Sequence, residues 1–320
     1  MTFLRRPWSR VTDTTTCALL NLAQWRHRHQ ATTRENLGAY LDACAPLNRH
    51  TFYSSPPLET VEASDTMLAW PTPHPSGLAD NDRAAAWLQL CRRGYAAPTV
   101  LILHALMSVD DTGYRRLAAK FNALGWNAAF LYLPFHYTRR PRGYLNGELA
   151  ITADLIRNSE GLRQAVSELR QLMSWLRARG CREFGLYGTS YGAWAGALLA
   201  SLENDISFIA LLQPITDTEH AIWQSPAGAT IRHLLRRNGI DAAMTSRHTH
   251  LTSPLHTPRP ATSPDRIVLG VGVYDLIAPP DRVEALARAW NGTRLIISPQ
   301  GHFGYVAARD MFAAVREIIA

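Results

Sequence analysis

Lysine is nearly absent from this chain of 320 residues: of 33 basic residues only Lys120 is one, and the rest are Arg. Against 26 acidic residues they give a net charge of +7 with His neutral. The arginines are scattered apart from short runs at Arg139-Arg140-Pro141-Arg142 and Arg236-Arg237. No basic stripe interleaved with aromatics is present, which argues against a nucleic-acid partner. What remains of the charge is a mild preference for anionic substrates or membrane surfaces. Cysteine is also scarce. Cys17, Cys44, Cys91 and Cys181 lie far apart with no C-x-x-C pair, which excludes a disulfide framework or zinc ribbon and suits a reducing, cytoplasmic compartment.

Long apolar runs are missing too. The longest extend over about eight residues, as at 100–107, so no transmembrane segment is expected. Arg5 and Arg6 are followed by no adequate apolar stretch, so a signal peptide is not expected. There is no internal repeat and no phosphate loop of the G-x-x-x-x-G-K-[ST] type. What is present is apolar content of 47%, enough for a large core and too much for a disordered chain.

Residues 1–60 read as a helical N-terminal extension, with helices expected over 15–29 and 34–43. The first ends in the basic, aromatic cluster Trp25-Arg26-His27-Arg28-His29. That pattern fits a helix packed on the main domain and is also compatible with contact to a membrane surface. No chemistry is legible there.

Residues 61–320 alternate between strands and helices. Strands are expected at 66–70, 99–103, 127–133, 184–187, 207–212, 267–273 and 294–298, with a turn-rich stretch after the first. Helices are expected over 113–124, along the apolar stripe from Leu162 to Leu176, after 188, over 230–237, and through Phe312 to Ile319. Such alternation predicts an α/β protein with a mostly parallel sheet and helices on both faces. Two stretches, 135–160 and 214–264, break the rhythm and are expected at the carboxyl ends of strands as lid or cap segments.

The densest chemical signal is Gly188-Thr189-Ser190-Tyr191-Gly192, a G-x-S-x-G motif between an expected strand and an Ala/Gly-rich helix. A serine hydroxyl needs a base, and the base an orienting acid. His302 follows the last strand in Gln300-Gly301-His302-Phe303-Gly304. Asp275 follows the preceding strand in Tyr274-Asp275-Leu276, and Asp217 is the rival acid.

These residues in this order resemble the α/β-hydrolase family over roughly residues 60–320. The resemblance implies Ser190 as nucleophile, Asp275 as acid and His302 as base. It implies an oxyanion hole from the backbone N–H groups of Tyr191 and of Leu106, with Met107 as the neighbouring candidate. Ala105 departs from the His-Gly often found at that point. The implied activity is a serine hydrolase cleaving a carboxylic ester or thioester of a small or lipid-like molecule, with no cofactor and no metal. The same triad would also serve a peptidase, a C–C hydrolase or an acyltransferase, and the fold a non-catalytic binding protein.

Three further expectations are weaker in pattern. Phe135, Tyr137, Trp194 and Trp223 are candidate pocket walls. The Arg139–Arg142 run is a candidate neighbour of an anionic group. His248, His250 and His256 lack an accompanying acid or Cys at metal-ligand spacing and read as polar lid residues.

Overall fold

The computed structural model describes residues 5–320 apart from Asp65 and Tyr305; the start of the chain, residues 1–4, lies outside the described residues. The described strands form one sheet. They are β1 (Glu62–Ala63), β2 (Met67–Pro71), β3 (Arg83–Gln89), β4 (Thr99–Leu103), β5 (Asn127–Tyr132), β6 (Phe184–Thr189), β7 (Ile206–Leu212), β8 (Ile267–Gly272) and β9 (Arg294–Ser298). Their spatial order is β1-β2-β3-β5-β4-β6-β7-β8-β9. The six from β5 to β9 are mutually parallel, and β1 to β3 extend the sheet by antiparallel pairing. Strands β4 to β8 are apolar on both faces because helices cover both.

One face carries the helices Leu155–Arg177, Tyr191–Ala200 and Pro280–Ala289, packed on inward residues such as Leu101, Leu186 and Leu269. The other carries Thr112–Ala123 and Val306–Ile319, packed on Val100, Phe208 and Val268. Helix Leu155–Arg177 forms where the three- and four-residue apolar spacing placed it, capped by Asp154, whose carboxylate accepts from the Arg157 N–H at 3.0 Å. It starts at Leu155, about two turns before the apolar stripe at Leu162, and that first stretch is less buried.

Strand β3 was not expected. Its sequence, Arg-Ala-Ala-Ala-Trp-Leu-Gln, has little intrinsic strand preference. Tertiary pairing overrides propensity: Ala84 and Ala86 lie opposite Trp70 and Leu68, and the small side chains make room for the buried Trp70 and Trp87.

The first helix, Arg5–Arg26, packs on the segment after β7. Asn21 donates to the Pro226 carbonyl at 2.9 Å and accepts from the Thr230 N–H at 2.6 Å. The next helix, Arg34–Cys44, seats Leu37 and Leu41 against Ile231, Leu235 and Ile240. On its outer side the first helix exposes Trp8, Val11, Leu19, Leu22 and Trp25. The segment 214–264 holds four short helices, Thr218–Trp223, Ala229–Arg237, Ala242–Ser246 and Thr249–Thr252, where sequence periodicity marked one. Among the described residues no helix is long and apolar enough to cross a membrane.

The Arg139 run does not behave as its sequence suggested. Arg139 is fully buried and forms a two-point pair with Glu168, at 2.6 and 2.8 Å. Its remaining donors reach the carbonyls of Asn81 and Tyr132. The guanidinium therefore fastens the 135–147 connection to the long helix and the β2–β3 turn, and only Arg140 and Arg142 face solvent. Removing one member of such a pair strands a charge. Arg139→Ala is expected to cost about 3–5 kcal/mol of stability, read as a lowered midpoint in urea unfolding.

Candidate active site

The turn from β6 into the helix Tyr191–Ala200 places Ser190 at φ 50°, ψ −113°, a conformation non-glycine residues adopt only under constraint. The constraint is close packing. A Cβ on Gly192 would lie 2.5 Å from the Leu103 and His104 carbonyl oxygens, and one on Gly188 2.7 Å from the Ala193 Cα. Both glycines are needed for the helix to start this close to the end of β4.

Three sequence-predicted residues meet here. The Ser190 Oγ lies 2.8 Å from His302 Nε2, and His302 Nδ1 lies 2.8 Å from the Asp275 Oδ2. The other oxygen of Asp275 accepts from the Ile277 and Ala278 N–H groups, each at 2.8 Å, which fixes the carboxylate's rotation. All three residues are buried, with Asp275 3% and Ser190 and His302 8% exposed. An acceptor at Nδ1 favours the tautomer protonated there, leaving Nε2 free to accept the serine proton. Burial opposes charging His302, but the Asp275 charge and hydrogen bond, with Asp13 adding to them, raise its pKa on balance.

Asp217, the rival acid, is not part of this chain of bonds. It caps the helix Thr218–Trp223, accepting from the Glu219 and His220 N–H groups at 3.0 and 3.3 Å. Leu106 and Tyr191 line the same cavity as Ser190 and His302. On the loop after β4, the Ala105 N–H donates to the Tyr114 hydroxyl at 2.9 Å and the Met107 N–H to His136 Nε2 at 3.3 Å. Among the described residues the Leu106 amide is spent on no such bond, which favours it over Met107 as an oxyanion donor. Tyr191 is the first residue of its helix, where an N–H has no intrahelical acceptor.

The cavity has a volume of about 940 Å³. Its walls come from both sides of the sheet's carboxyl edge and from the first two helices: Leu20, Leu37 and Leu41 face Ile215, Ile222 and Ile231. Of the four aromatic candidates only Trp194 lines it. Phe135 is core, Tyr137 packs on His104 and Tyr132, and Trp223 donates to the Thr245 hydroxyl at 2.9 Å. His248 also lines the cavity, with Nε2 2.6 Å from the Ser159 hydroxyl, while His250 and His256 do not. Among the described residues no three His, Cys, Asp or Glu side chains gather as a metal site would require.

Sequence reasoning missed Asp13. This fully buried residue of the first helix accepts from the His302 and Leu276 N–H groups. No motif marks it, because its partners are backbone amides more than 260 residues away. The only trace was an acid in a helix otherwise free of acidic residues.

No family model matches the chain. An uncharacterized protein of Mycobacterium tuberculosis, from strains CDC 1551 / Oshkosh and ATCC 25618 / H37Rv, is 29% identical over 198 residues, 59% of this chain. The match spans 45% of the length of those relatives. Among solved structures, the acetyl xylan esterase from Paenibacillus sp. R4 superposes with a TM-score of 0.61 at 14% identity, over 90% of this chain and 95% of that one. Acetyl xylan esterase 1 from Thermoanaerobacterium sp. JW/SL YS485 gives 0.60 at 15% identity, over 92% and 98%. The acylaminoacyl peptidase of Pyrococcus horikoshii gives 0.53 at 15%, over 82% of this chain and 41% of its own. Likeness at these identities concerns architecture, and the architecture is the α/β-hydrolase fold.

One wall residue titrates within reach of ordinary buffers. Burial, with a smaller contribution from Asp217 and against a hydrogen bond with Thr245, raises the Glu219 pKa to about 7. The folded chain therefore holds a proton that the unfolded chain releases at lower pH, and stability falls as pH rises through that window. Glu219→Gln is expected to match the wild type in thermal stability at pH 4 and to exceed it increasingly toward pH 8.

Proposed function

We propose that this chain, with its α/β-hydrolase fold, is a serine hydrolase that cleaves a carboxylic ester or thioester through an acyl-enzyme on Ser190. The observation that carries the reading is the hydrogen-bonded series Ser190–His302–Asp275, whose first two members line a large, mainly apolar cavity. In the first step the Ser190 oxygen bonds to the substrate carbonyl carbon while its proton passes to His302 Nε2. The carbonyl oxygen takes the negative charge, facing the Leu106 and Tyr191 N–H groups. Collapse of this intermediate breaks the bond to the alcohol or thiol, which leaves with the His302 proton. Water then attacks the acyl group with His302 as base, and the acid departs from a regenerated serine. Asp275 stabilises the imidazolium formed in each half.

The leucine and isoleucine lining supports an apolar acyl chain as the buried portion of the substrate. Segments 135–160 and 214–264 act as the cap over it, joined by the helices of residues 5–60. The exposed tryptophans and leucines of the first helix, with exposed Arg10 and Arg28 beside them, support a membrane-surface contact that would bring such a substrate within reach. The four cysteines are all unpaired, which fits the cytoplasm.

A fluorophosphonate probe is expected to label the wild type and not Ser190→Ala, and that variant should lose about 10⁴-fold or more in kcat. Labelling that persists without Ser190 overturns the reading. Among p-nitrophenyl esters, kcat/KM should rise from acetate toward longer acyl chains, and the acid limb of its pH profile should lie above the ordinary imidazole value. Sedimentation with phosphatidylglycerol vesicles should retain the wild type and release Leu19→Glu/Leu22→Glu.

A further inference from the structure

The first helix is remote in sequence from every residue assigned to the chemistry, yet it supplies a carboxylate to the loop that carries the base. The His302 N–H donates to both oxygens of Asp13 at 3.0 Å, and the Leu276 N–H donates to one of them at 3.1 Å. Leu276 is the residue after Asp275. One side chain therefore joins the loop of the acid to the loop of the base. We propose that Asp13 is a positioning residue of the active site, a fourth member that sets the distance between the Asp275 and His302 loops. The proposal rests on the serine-hydrolase reading of this site.

The surroundings are built to receive that carboxylate. A Cβ on Gly301 would sit 2.6 Å from the Asp13 Oδ1, so only glycine lets the group reach the His302 amide. On its other side the Gly301 carbonyl accepts from the Gln213 side chain at 2.9 Å, which holds the peptide facing Asp13. Asp13 is fully buried, and burial of an anion is costly unless donors meet it. Here they are two main-chain N–H groups, both belonging to catalytic loops.

The electrostatics point the same way. Among the described residues the titratable groups facing His302 are Asp275 from the loop after β8 and Asp13 from the first helix. Cys17, one turn further along that helix, has its thiol pushed up to about 11 by burial and by the two carboxylates, so it brings no charge. Burial raises the pKa of Asp13, the His302 and Leu276 amides lower it, and the Asp275 charge raises it again, with a net rise. Among the described residues the cation that can form beside these carboxylates is the His302 imidazolium, the species made when Ser190 gives up its proton. An ionised Asp13 stabilises it at a distance while holding its backbone.

The test compares full-length wild type, Asp13→Asn and Gly301→Ala. The asparagine keeps the shape but sets an NH₂ group against an N–H donor and removes the charge. The alanine keeps the charge but forces the carboxylate away. Both should lose about 10- to 100-fold in kcat on a p-nitrophenyl ester with KM little changed, as expected for misplaced groups. In Asp13→Asn the acid limb of the kcat/KM profile should also move to lower pH, since loss of a nearby negative charge makes imidazolium harder to form. A purely structural role would lower activity in proportion to unfolded protein and leave the limb in place. Should Asp13→Asn fail to fold, Gly301→Ala carries the kcat comparison, and full activity in it overturns the proposal. A labelled, active wild type matched by a folded Asp13→Asn in kcat and pH profile overturns the role of Asp13 alone. A wild type with no Ser190-dependent labelling or hydrolysis overturns the hydrolase reading and this proposal together.

Discussion

The contact between Gly192 and the last carbonyls of β4 is the constraint from which the site's geometry follows. Strands β4 and β6 are hydrogen-bonded neighbours in parallel register, with Leu103 opposite Gly188. Both strands end at the same level, and the chain leaves each in a different way. After β6 it turns into a helix at once, and the absence of a side chain at Gly192 lets that helix start against Leu103 and His104. The turn that lifts Ser190 and the loop that carries Leu106 are thus fixed to each other by main-chain packing. The Tyr114 hydroxyl and His136 ring then hold the loop on either side of Leu106. The backbone strain at Ser190 is tolerated because six strands of paired sheet and two helical layers oppose its relaxation.

The loops after β8 and β9 also meet through main chain, since a Cβ on Gly272 would lie 2.5 Å from the Gln300 carbonyl oxygen and the Tyr274 N–H donates to that oxygen at 3.0 Å, and polar side chains add to this. Asp275 turns its carboxylate back onto two amides of its own loop. Gln300 donates to the Gly304 carbonyl and accepts from the Ala307 N–H, closing the histidine loop onto the final helix. Gln213, at φ 52° just past β7, reaches the same loop through Gly301. These are buried hydrogen bonds, each of modest net strength but expensive to leave half made. Both halves of the site thus combine close main-chain packing with buried polar contacts. Asp13 lies at the centre of the second half.

The sheet was legible because parallel strands covered on both faces are written as short, unbroken apolar runs; β4 and β9 fall at the expected residues and β7 and β8 within one residue of them. Ser190, Asp275 and His302 were legible because strand ends place them, and strand ends are what local patterns mark. Strand β3 escaped because three alanines carry no strand preference of their own, and its pairing partner is set by the tertiary fold. The partner of Arg139 was not legible for a related reason, the anionic group beside it being Glu168 of the chain itself. A run of arginines looks like surface, and nothing local announces that Glu168, 29 residues on, will meet one of them in the interior. Burial of a charge is a property of the pair, and sequence displays its members separately.

The same reasoning explains why residues 1–60 carried no chemical signal although their helices border the cavity and one of them touches the loop of His302. Catalytic groups sit at fixed offsets from strands and turns, so a family pattern can mark them. Groups that wall a pocket or brace a loop need only arrive from the right direction, and a helix far away in sequence does so as well as a neighbouring one. Leu20, Leu37 and Leu41 look like ordinary core residues, and Asp13 looks like an ordinary helix acid. What sets them apart is the face each occupies. Asp13, Cys17 and Gln24 lie on the buried side of the first helix, and Trp8, Leu19 and Leu22 on its exposed side. That helix thus joins the interior of the site to the surface of the molecule. A displacement of it at the surface would move a carboxylate bonded to the backbone of His302.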